Sequence, residues 1–167
     1  MGCISSSALR SAQFDEKKQF SFQHLTVKAK VVYVYDGDTL YLQFLYQKRL
    51  TQLCIRMLGY DSPEMIPRRN LPHREEEMKK AILARNRLVY LVSGITLEDR
   101  KYTKDEIKAI LATSNKLITV CFDTFDKYGR TLATLYDNKQ SLNQKMIQEG
   151  HGYEYHGGSK KTFGEEE

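Results

Sequence analysis

Alternating apolar and polar residues begin shortly after residue 22 and predict the first strands of the chain. In "TVKAKV" (26–31) and "TLYLQF" (39–44) every second residue is apolar, which is the period of a strand with one buried face. The segment "DGDT" (36–39) lies where the two stretches meet, and Asp-Gly is a strong signal for a tight hairpin turn. A third stretch, "TQLCIRMLGY" (51–60), follows. The pattern therefore predicts an antiparallel three-stranded meander.

The apolar spacing changes to a helical period in "EEEMKKAILARNRLVYLVSG" (75–94). We expect a helix that begins with acidic residues, which suit the positive end of the helix dipole, and that ends before Gly94. Most of its apolar side chains fall on one face, which we expect to cover the sheet. These side chains are Met78, Ile82, Leu83, Leu88 and Leu91.

The second half of the chain predicts a short helix, two strands and a closing helix. Thr103 is a suitable N-cap for the short helix, and Glu106 three residues later would complete a capping box. "KLITVCF" (116–122) and "TLATLY" (131–136) have the composition of strands, and a last helix starts at Ser141. This order of elements is that of a five-stranded OB-type barrel with two or three covering helices, a mainly β fold of the α+β class.

Length and composition indicate one domain with a tail at each end. A chain of 167 residues with 41% apolar residues can build one hydrophobic core. We expect a flexible leader at 1–20, a domain at 21–158 and an acidic flexible tail at 159–167. The net charge of +5 and the pI near 9.0 suit a polyanionic partner, although such a modest charge is also common in other proteins.

The cysteines and histidines give little sign of structural metal or disulfide chemistry. The three cysteines share no CxxC spacing, so neither a disulfide framework nor a zinc ribbon is indicated, and a reducing compartment is expected.

No apolar stretch approaches the roughly 20 residues that a membrane-spanning helix requires. The N-terminus also lacks the apolar core of a secretory signal. We therefore expect an intracellular protein that is not secreted through a signal peptide.

The first residues, "MGCISS", match the pattern for N-terminal acylation. Gly2 follows the initiator Met and is four residues before Ser6, as in N-myristoylation sites, and Cys3 is placed for palmitoylation. Two acyl chains give stable membrane attachment, whereas one binds only marginally. Acylation of both residues would hold the protein at the cytoplasmic face of a membrane. The alternative is a chance match in a polar leader.

The segment "IRMLGYDSPE" (55–64) places an arginine inside an apolar strand and carboxylates on both sides of a proline. Burying an unpaired arginine is costly, so Arg56 either points to solvent or meets an anion. Asp61 and Glu64 could be ordinary turn residues, because Asp before Ser-Pro favours a turn. Asp38, at the mouth of the first hairpin, adds another carboxylate where a hard cation could use it.

Three separated segments are far more specific together than any of them is alone. They are "DGDT" (36–39), "IRMLGYDSPE" (55–64) and "DKYGR" (126–130), with a predicted helix between the second and the third. In this order they resemble the active-site segments of the staphylococcal nuclease family, also called thermonuclease-like domains. The similarity spans residues 25 to about 156. It implies the OB-type barrel and a calcium-dependent phosphodiesterase, an endo- or exonuclease that cuts DNA and RNA with little sequence preference and leaves 3′-phosphate ends.

The resemblance also implies a metal site and a general base. Asp38 and Asp61 would supply carboxylate oxygens to Ca²⁺, Ser62 would supply its backbone carbonyl, and Asp36 would hold waters on the metal from the second coordination shell. Glu64 would be the general base that orients or deprotonates the attacking water, although a sequence does not identify the base by itself. Mg²⁺, which demands stricter octahedral geometry, could bind without supporting turnover.

Cationic and aromatic residues would bind the substrate. By the same resemblance, Arg56 and Arg130 would grip phosphate oxygens through bidentate hydrogen bonds and stabilise the five-coordinate transition state. Stacking on tyrosine tolerates any base, so sequence preference should be slight. The residues expected to contact the terminal phosphate and the bases are Lys127, Tyr128 and one of the C-terminal tyrosines, Tyr155 or Tyr153. For those two tyrosines, packing at the edge of the core is an equally good interpretation.

Two segments depart from the family pattern. Residues 94–115 insert a helix before the fourth barrel strand, as either a docking surface or a simple elaboration. The loop 65–74 carries Arg68, Arg69 and Arg74, which could extend a nucleic-acid track or form a solvated basic loop. We expect a monomer.

Two other functions stay open at this point. One is a catalytically inactive, membrane-tethered OB module that binds nucleic acid, but degenerate relatives of that kind lose the acidic and arginine positions that this chain retains. The other is a protein-interaction adaptor that uses the inserted helix. The adaptor predicts that Arg56→Ala would leave the biological role intact.

Overall fold

The computed structural model describes residues 20–70 and 72–158. The predicted acylation residues Gly2 and Cys3, nearly all of the predicted leader and the whole acidic tail lie outside these ranges, so those expectations stay predictions. Within the described ranges, no helix is long and apolar enough to cross a bilayer.

The alternating segments form a closed five-stranded barrel, as the sequence predicts. Five of the described strands form the barrel, and three short strands of two residues lie outside it. The bounds of all strands are β1 (Thr26–Val34), β2 (Thr39–Tyr46), β3 (Arg49–Met57), β4 (Tyr60–Asp61), β5 (Ile118–Phe125), β6 (Thr131–Asp137), β7 (Gln140–Ser141) and β8 (Tyr153–Glu154). The hydrogen-bonded order is β3-β2-β1-β5-β6, and parallel pairing of β3 with β6 closes the circle. The remaining neighbours in the barrel are antiparallel. Inward-facing aliphatic side chains of these strands fill the interior, led by Val34, Leu40, Leu42, Ile55 and Leu135, which are fully buried.

The three predicted helices are present and have the predicted end signals. They are α1 (Arg74–Ser93), α2 (Lys104–Thr113) and α3 (Leu142–Gln148). The backbone of α1 ends at Gly94, which has a left-handed φ of 77° that glycine adopts without a side-chain clash. At the start of α2, Thr103 Oγ1 accepts a hydrogen bond from the Glu106 amide (3.2 Å), and the Glu106 carboxylate accepts one from the Thr103 amide (2.7 Å). The capping box is therefore confirmed.

The predicted apolar face of α1 is only partly correct. Leu88 and Leu91 are buried as expected, but Leu83 is 40% exposed. The face that packs against the barrel instead contains small alanines, Ala81 and Ala84, which are fully buried. Small side chains at these positions allow the helix to approach the barrel closely. The same face also buries three polar residues, Glu77, Arg85 and Asn86.

Candidate active site

The turn between β1 and β2 is pressed against two other elements at one end of the barrel. Gly37 has no left-handed φ, so it does not serve the tight Asp-Gly hairpin turn that the sequence favours. A Cβ at Gly37 would instead lie 2.7 Å from the Ser62 Cβ and 2.9 Å from the Ala84 Cβ of α1. Tyr60 OH also donates a hydrogen bond to the Gly37 carbonyl. Glycine is required here by close packing, which fixes the turn beside the segment after β3.

Asp36 holds the backbone of this turn in place. Its Oδ1 accepts hydrogen bonds from the amides of Asp38 (3.1 Å) and Thr39 (2.7 Å). Burial, together with the negative charges of Asp38 and Glu64, raises the pKa of the Asp36 carboxyl to about 8. Burial and the neighbouring carboxylates therefore both disfavour the charged form of Asp36.

Arg56 lies between two buried carboxylates. Its Nη1 donates to Asp38 Oδ1 at 2.8 Å, and its Nη2 donates to Asp61 Oδ1. Asp38 is 2% exposed, Asp61 1% and Arg56 8%, so this ion-paired group is shielded from bulk solvent. The arginine in the apolar strand thus meets anions supplied by the protein itself. A guanidinium has five N–H donors, and these two contacts leave others that could reach a ligand.

Further hydrogen bonds link this cluster to the rest of the fold. The Ser62 amide donates to Asp38 Oδ2 (3.1 Å), which connects the "DSPE" turn to the β1–β2 turn. Tyr153 OH lies 3.2 Å from Asp61 Oδ2, and β8 pairs with β4 at this point. A Cβ at Gly152 would lie 2.5 Å from the Asp61 carbonyl oxygen, so glycine is needed for this approach as well.

Arg130 reaches the cluster through Thr39. Its Nε donates to Asp126 Oδ2 at 2.7 Å, and its Nη1 lies 3.4 Å from Thr39 Oγ1. Thr39 Oγ1 in turn donates to Asp38 Oδ1 at 2.8 Å. The Asp126 Oδ1 also accepts the amides of Tyr128 and Arg130, which gives the loop its shape. Sequence reasoning assigned no role to Thr39 or Asp126, although both lie inside the quoted segments.

Glu64 is exposed and follows the buried Pro63. Its amide donates to Glu77 Oε1 of α1 at 3.1 Å, so α1 holds the backbone that carries it. Glu64 is two residues after Ser62, whose amide donates to Asp38 Oδ2, and its charge contributes to the raised pKa of Asp36. The structure therefore brings one accessible carboxylate to the edge of a group of buried ones.

Not all of the residues expected to contact the substrate lie beside the buried cluster. Tyr128 is 73% exposed, and the Arg130 guanidinium lies 5.6 Å from the centre of its ring. Lys127 Nζ lies 5.1 Å from the same ring. Tyr155 OH, however, donates to the Gly158 carbonyl. Of the two C-terminal tyrosines, it is Tyr153 that contacts the buried cluster through Asp61.

The donor chemistry of the cluster fits a hard divalent cation, but no closed cage is assembled. Asp36, Asp38 and Asp61 provide oxygen donors of the kind that Ca²⁺ prefers. Ser62 Oγ is buried without a hydrogen-bond partner among the described residues, and a nearby ion with its waters would satisfy such an atom. Within residues 20–70 and 72–158, no group of three or more His, Cys, Asp or Glu side chains is arranged to hold a metal. A cation here would therefore also need backbone carbonyl and water ligands.

Comparison with known proteins gives two similarities. The model of the family described as staphylococcal nuclease homologue matches residues 54–166. The matched region begins inside β3, so the turn with Asp36 and Asp38 precedes it. The chain is also 29% identical over 174 residues to an uncharacterized protein of Methanocaldococcus jannaschii, an alignment that covers 92% of this chain and 75% of that protein.

Proposed function

Since this chain belongs to the family of staphylococcal nuclease homologues, we propose that it is a calcium-dependent phosphodiesterase that cleaves DNA and RNA. We further propose that cleavage leaves 3′-phosphate and 5′-hydroxyl ends. Family membership itself suggests a nuclease-like fold and nucleic-acid binding. The finer assignment is supported by the residues gathered at one end of the barrel.

The observation that carries the proposal is the buried cluster of Arg56 with Asp38 and Asp61. Burying three charged side chains has a desolvation cost that their mutual attraction often does not repay. Such a cluster in a small domain therefore indicates a role besides packing. Here the cluster is joined to a second arginine, Arg130, through Thr39, and it has the exposed Glu64 at its edge. Oxygen donors, two guanidinium groups and one accessible carboxylate are the parts that phosphodiester hydrolysis requires.

Each residue has a proposed role in this reaction. Asp38, Asp61 and the Ser62 carbonyl would hold Ca²⁺, with Asp36 behind them. When bound, the cation would supply positive charge for phosphate oxygens and a site for water. Glu64 would accept the proton of the attacking water.

The arginines would bind the phosphate. The N–H donors of Arg56 that remain beside its carboxylate contacts would bind phosphate oxygens, where negative charge grows in the transition state. Arg130, which is held by Asp126 and lies beside Thr39, would bind the same phosphate. Lys127 and Tyr128 lie next to Arg130 and would contact the neighbouring part of the substrate.

The proposal is tested by digestion of single-stranded and double-stranded DNA and RNA with the full chain. The reactions contain Ca²⁺, Mg²⁺ or a chelator, and the termini of the products are identified. Cleavage in Ca²⁺ but not in chelator, with 3′-phosphate products, supports the proposal. A folded protein that binds nucleic acid and cuts none of the four substrates with either metal would instead favour the non-catalytic binding module.

A matched pair of arginine variants makes the same assay specific for the site. Arg130→Lys keeps the charge but loses the planar fork that binds phosphate bidentately, so we expect cleavage to fall by about 100-fold or more. Arg49→Lys, on the exposed first residue of β3, is the control and should cleave like the wild type. Equal activity of both variants would remove Arg130 from the proposed site.

A further inference from the structure

Two tyrosines face each other on the outside of the barrel. Tyr33 of β1 is the cross-strand partner of Tyr41 of β2, and the centres of their rings are 5.8 Å apart with planes inclined by 41°. Their neighbours Val34, Leu40 and Leu42 point into the core, so both tyrosines face outward, where their rings are half-buried. The rings border a cleft of about 430 Å³.

The strand register connects this cleft to the candidate active site. Thr39 is paired with Arg56, and two residues further along the same strands Tyr41 is paired with Cys54. Side chains two residues apart in a strand lie on the same face, at a spacing of about 7 Å. Tyr41 therefore lies on the same face of the sheet as Arg56, two residues along the strand from Thr39, the partner of Arg56. Tyr35, which is 44% exposed, follows the end of β1 two residues after Tyr33 and directly precedes Asp36.

The inserted helix α2 supplies the positive charge of the cleft. Lys104 and Lys108 line it together with the tyrosines, and Lys104 Nζ lies 5.6 Å from the centre of the Tyr33 ring. The carboxylate beside these lysines, Asp105, is an exposed residue that lies 3.4 Å from Lys108 Nζ. The cleft thus combines aromatic faces with cations that the inserted helix provides.

We propose that this cleft binds one or more bases of a single-stranded nucleic acid on Tyr33 and Tyr41, with Lys104 and Lys108 contacting its phosphates. The inference rests on the proposed function, because it assigns the cleft to the strand that continues from the phosphate at Arg56. Aromatic stacking is indifferent to base identity, and a duplex would not present unstacked bases to the rings. The inserted helix then acts as a substrate-binding element and favours single strands over duplexes.

Binding is measured by fluorescence anisotropy of labelled oligo-dT and oligo-U hexanucleotides with the full chain, in chelator so that nothing is cut. The variants Tyr33→Leu and Tyr41→Leu keep apolar bulk but lose the stacking face, and we expect their Kd to rise roughly 5- to 100-fold. Tyr33→Phe and Tyr41→Phe keep the ring and should restore the wild-type Kd. Tyr90→Leu is the matched control, since Tyr90 is 38% exposed and also lies beside a cation, Arg87, but is on α1.

The lysines are tested by the salt dependence of binding. Each phosphate contact with a single strand contributes about 0.7 to the slope of log K against log salt concentration. We expect the double variant Lys104→Gln/Lys108→Gln to lower that slope by about 1.4, whereas the tyrosine variants should change Kd with little effect on the slope. The two oligomers separate DNA from RNA as the preferred strand.

The outcomes separate this inference from the proposed function. Folded leucine variants that bind both oligomers as tightly as the wild type would overturn the inference, as would a wild-type chain that binds neither. Cleavage by the wild type in Ca²⁺ is measured in parallel. Tyrosine-dependent binding without any cleavage would overturn the proposed function alone, and cleavage with tyrosine-independent binding would overturn the inference alone.

Discussion

Arg56 Nη1 and Asp38 Oδ1 are 2.8 Å apart and form an ion pair that is almost fully buried. The two residues come from different segments, β3 and the β1–β2 turn, and their pairing brings together the elements of the candidate active site. Asp61 accepts a second hydrogen bond from the same guanidinium. The pair therefore joins these elements of the fold, and in the proposed reaction it also belongs to the site, so its removal should affect both stability and cleavage.

The buried position of this pair predicts a large cost when one partner is lost. Arg56→Ala leaves two carboxylates buried without their cation, so we expect the free energy of unfolding to fall by about 3–5 kcal/mol. Arg87→Ala is the control, because Arg87 pairs with Glu149 at 2.6 Å with both side chains about 30% exposed. This pair makes two hydrogen bonds and keeps contact with solvent, so it should contribute about 1 kcal/mol. Urea unfolding followed by circular dichroism measures both values, and equal losses would contradict the structural role.

Calcium binding should be detectable through stability, independently of cleavage. A cation that binds only the folded state adds about 2.7 kcal/mol to the free energy of unfolding at 100 times its Kd. We expect Ca²⁺ to raise the unfolding temperature of the wild type and to have little effect on Asp38→Asn, which lacks the carboxylate charge. Asp99→Asn, at an exposed position, should respond like the wild type. If Asp38→Asn responds equally, Asp38 is not a ligand.

Close packing around Gly37 predicts that even one methyl group disturbs the site. Gly37→Ala would place a carbon 2.7 Å from the Ser62 Cβ and 2.9 Å from the Ala84 Cβ. We expect a loss of about 1–3 kcal/mol in stability, together with weaker cleavage because the turn that carries Asp38 must shift. The double variant Gly37→Ala/Ser62→Gly should recover part of the stability. A double-mutant cycle measures that coupling, and strictly additive losses would show that the contact with Ser62 is not the cause.

The partial burial of His151, which precedes Gly152, predicts that the stability of the fold depends on pH. Burial lowers the pKa of the His151 imidazole below its ordinary 6.5, with an opposing contribution from Glu149. Between the two pKa values the unfolded chain binds more protons, so stability is present above pH 6.5 and decreases as the pH falls below that value. His151→Gln does not titrate and should lose less stability between about pH 7.5 and about pH 5.5. Chemical denaturation at both pH values gives the comparison, and identical losses would contradict the assignment.

Sequence periodicity was sufficient to predict the barrel and helices, because period-2 and helical patterns are properties of single segments. The capping box at Thr103 and the helix end at Gly94 are likewise local signals. The buried face of α1 was misassigned at Leu83, since a small residue, Ala84, rather than a large apolar one lies against the turn. That choice depends on how close the turn at Gly37 comes, which no single segment reveals.

The candidate site could be predicted only to the level of residue type and segment. The motif order identified Arg56, Asp38 and Asp61, and the structure brings these three together. The contact of Thr39 with Arg130 and that of Tyr153 with Asp61 join residues about 90 positions apart, and the hold of Asp126 on Arg130, although local, depends on the side-chain geometry of the loop. The tyrosine cleft also joins residues from two strands and the inserted helix, so no local pattern indicated it.

The central claim is that the cluster around Arg56 hydrolyses phosphodiesters with Glu64 as the base, and a conservative change at Glu64 tests it most directly. Glu64→Gln keeps the size of an exposed side chain and removes only its basicity, whereas Glu75→Gln, exposed in the first turn of α1, is the matched control. We measure kcat on single-stranded DNA with saturating Ca²⁺. The account predicts that Glu75→Gln equals the wild type and that Glu64→Gln is slower by about 100-fold or more. Wild-type kcat in Glu64→Gln, or no cleavage by a folded wild-type chain, would contradict it.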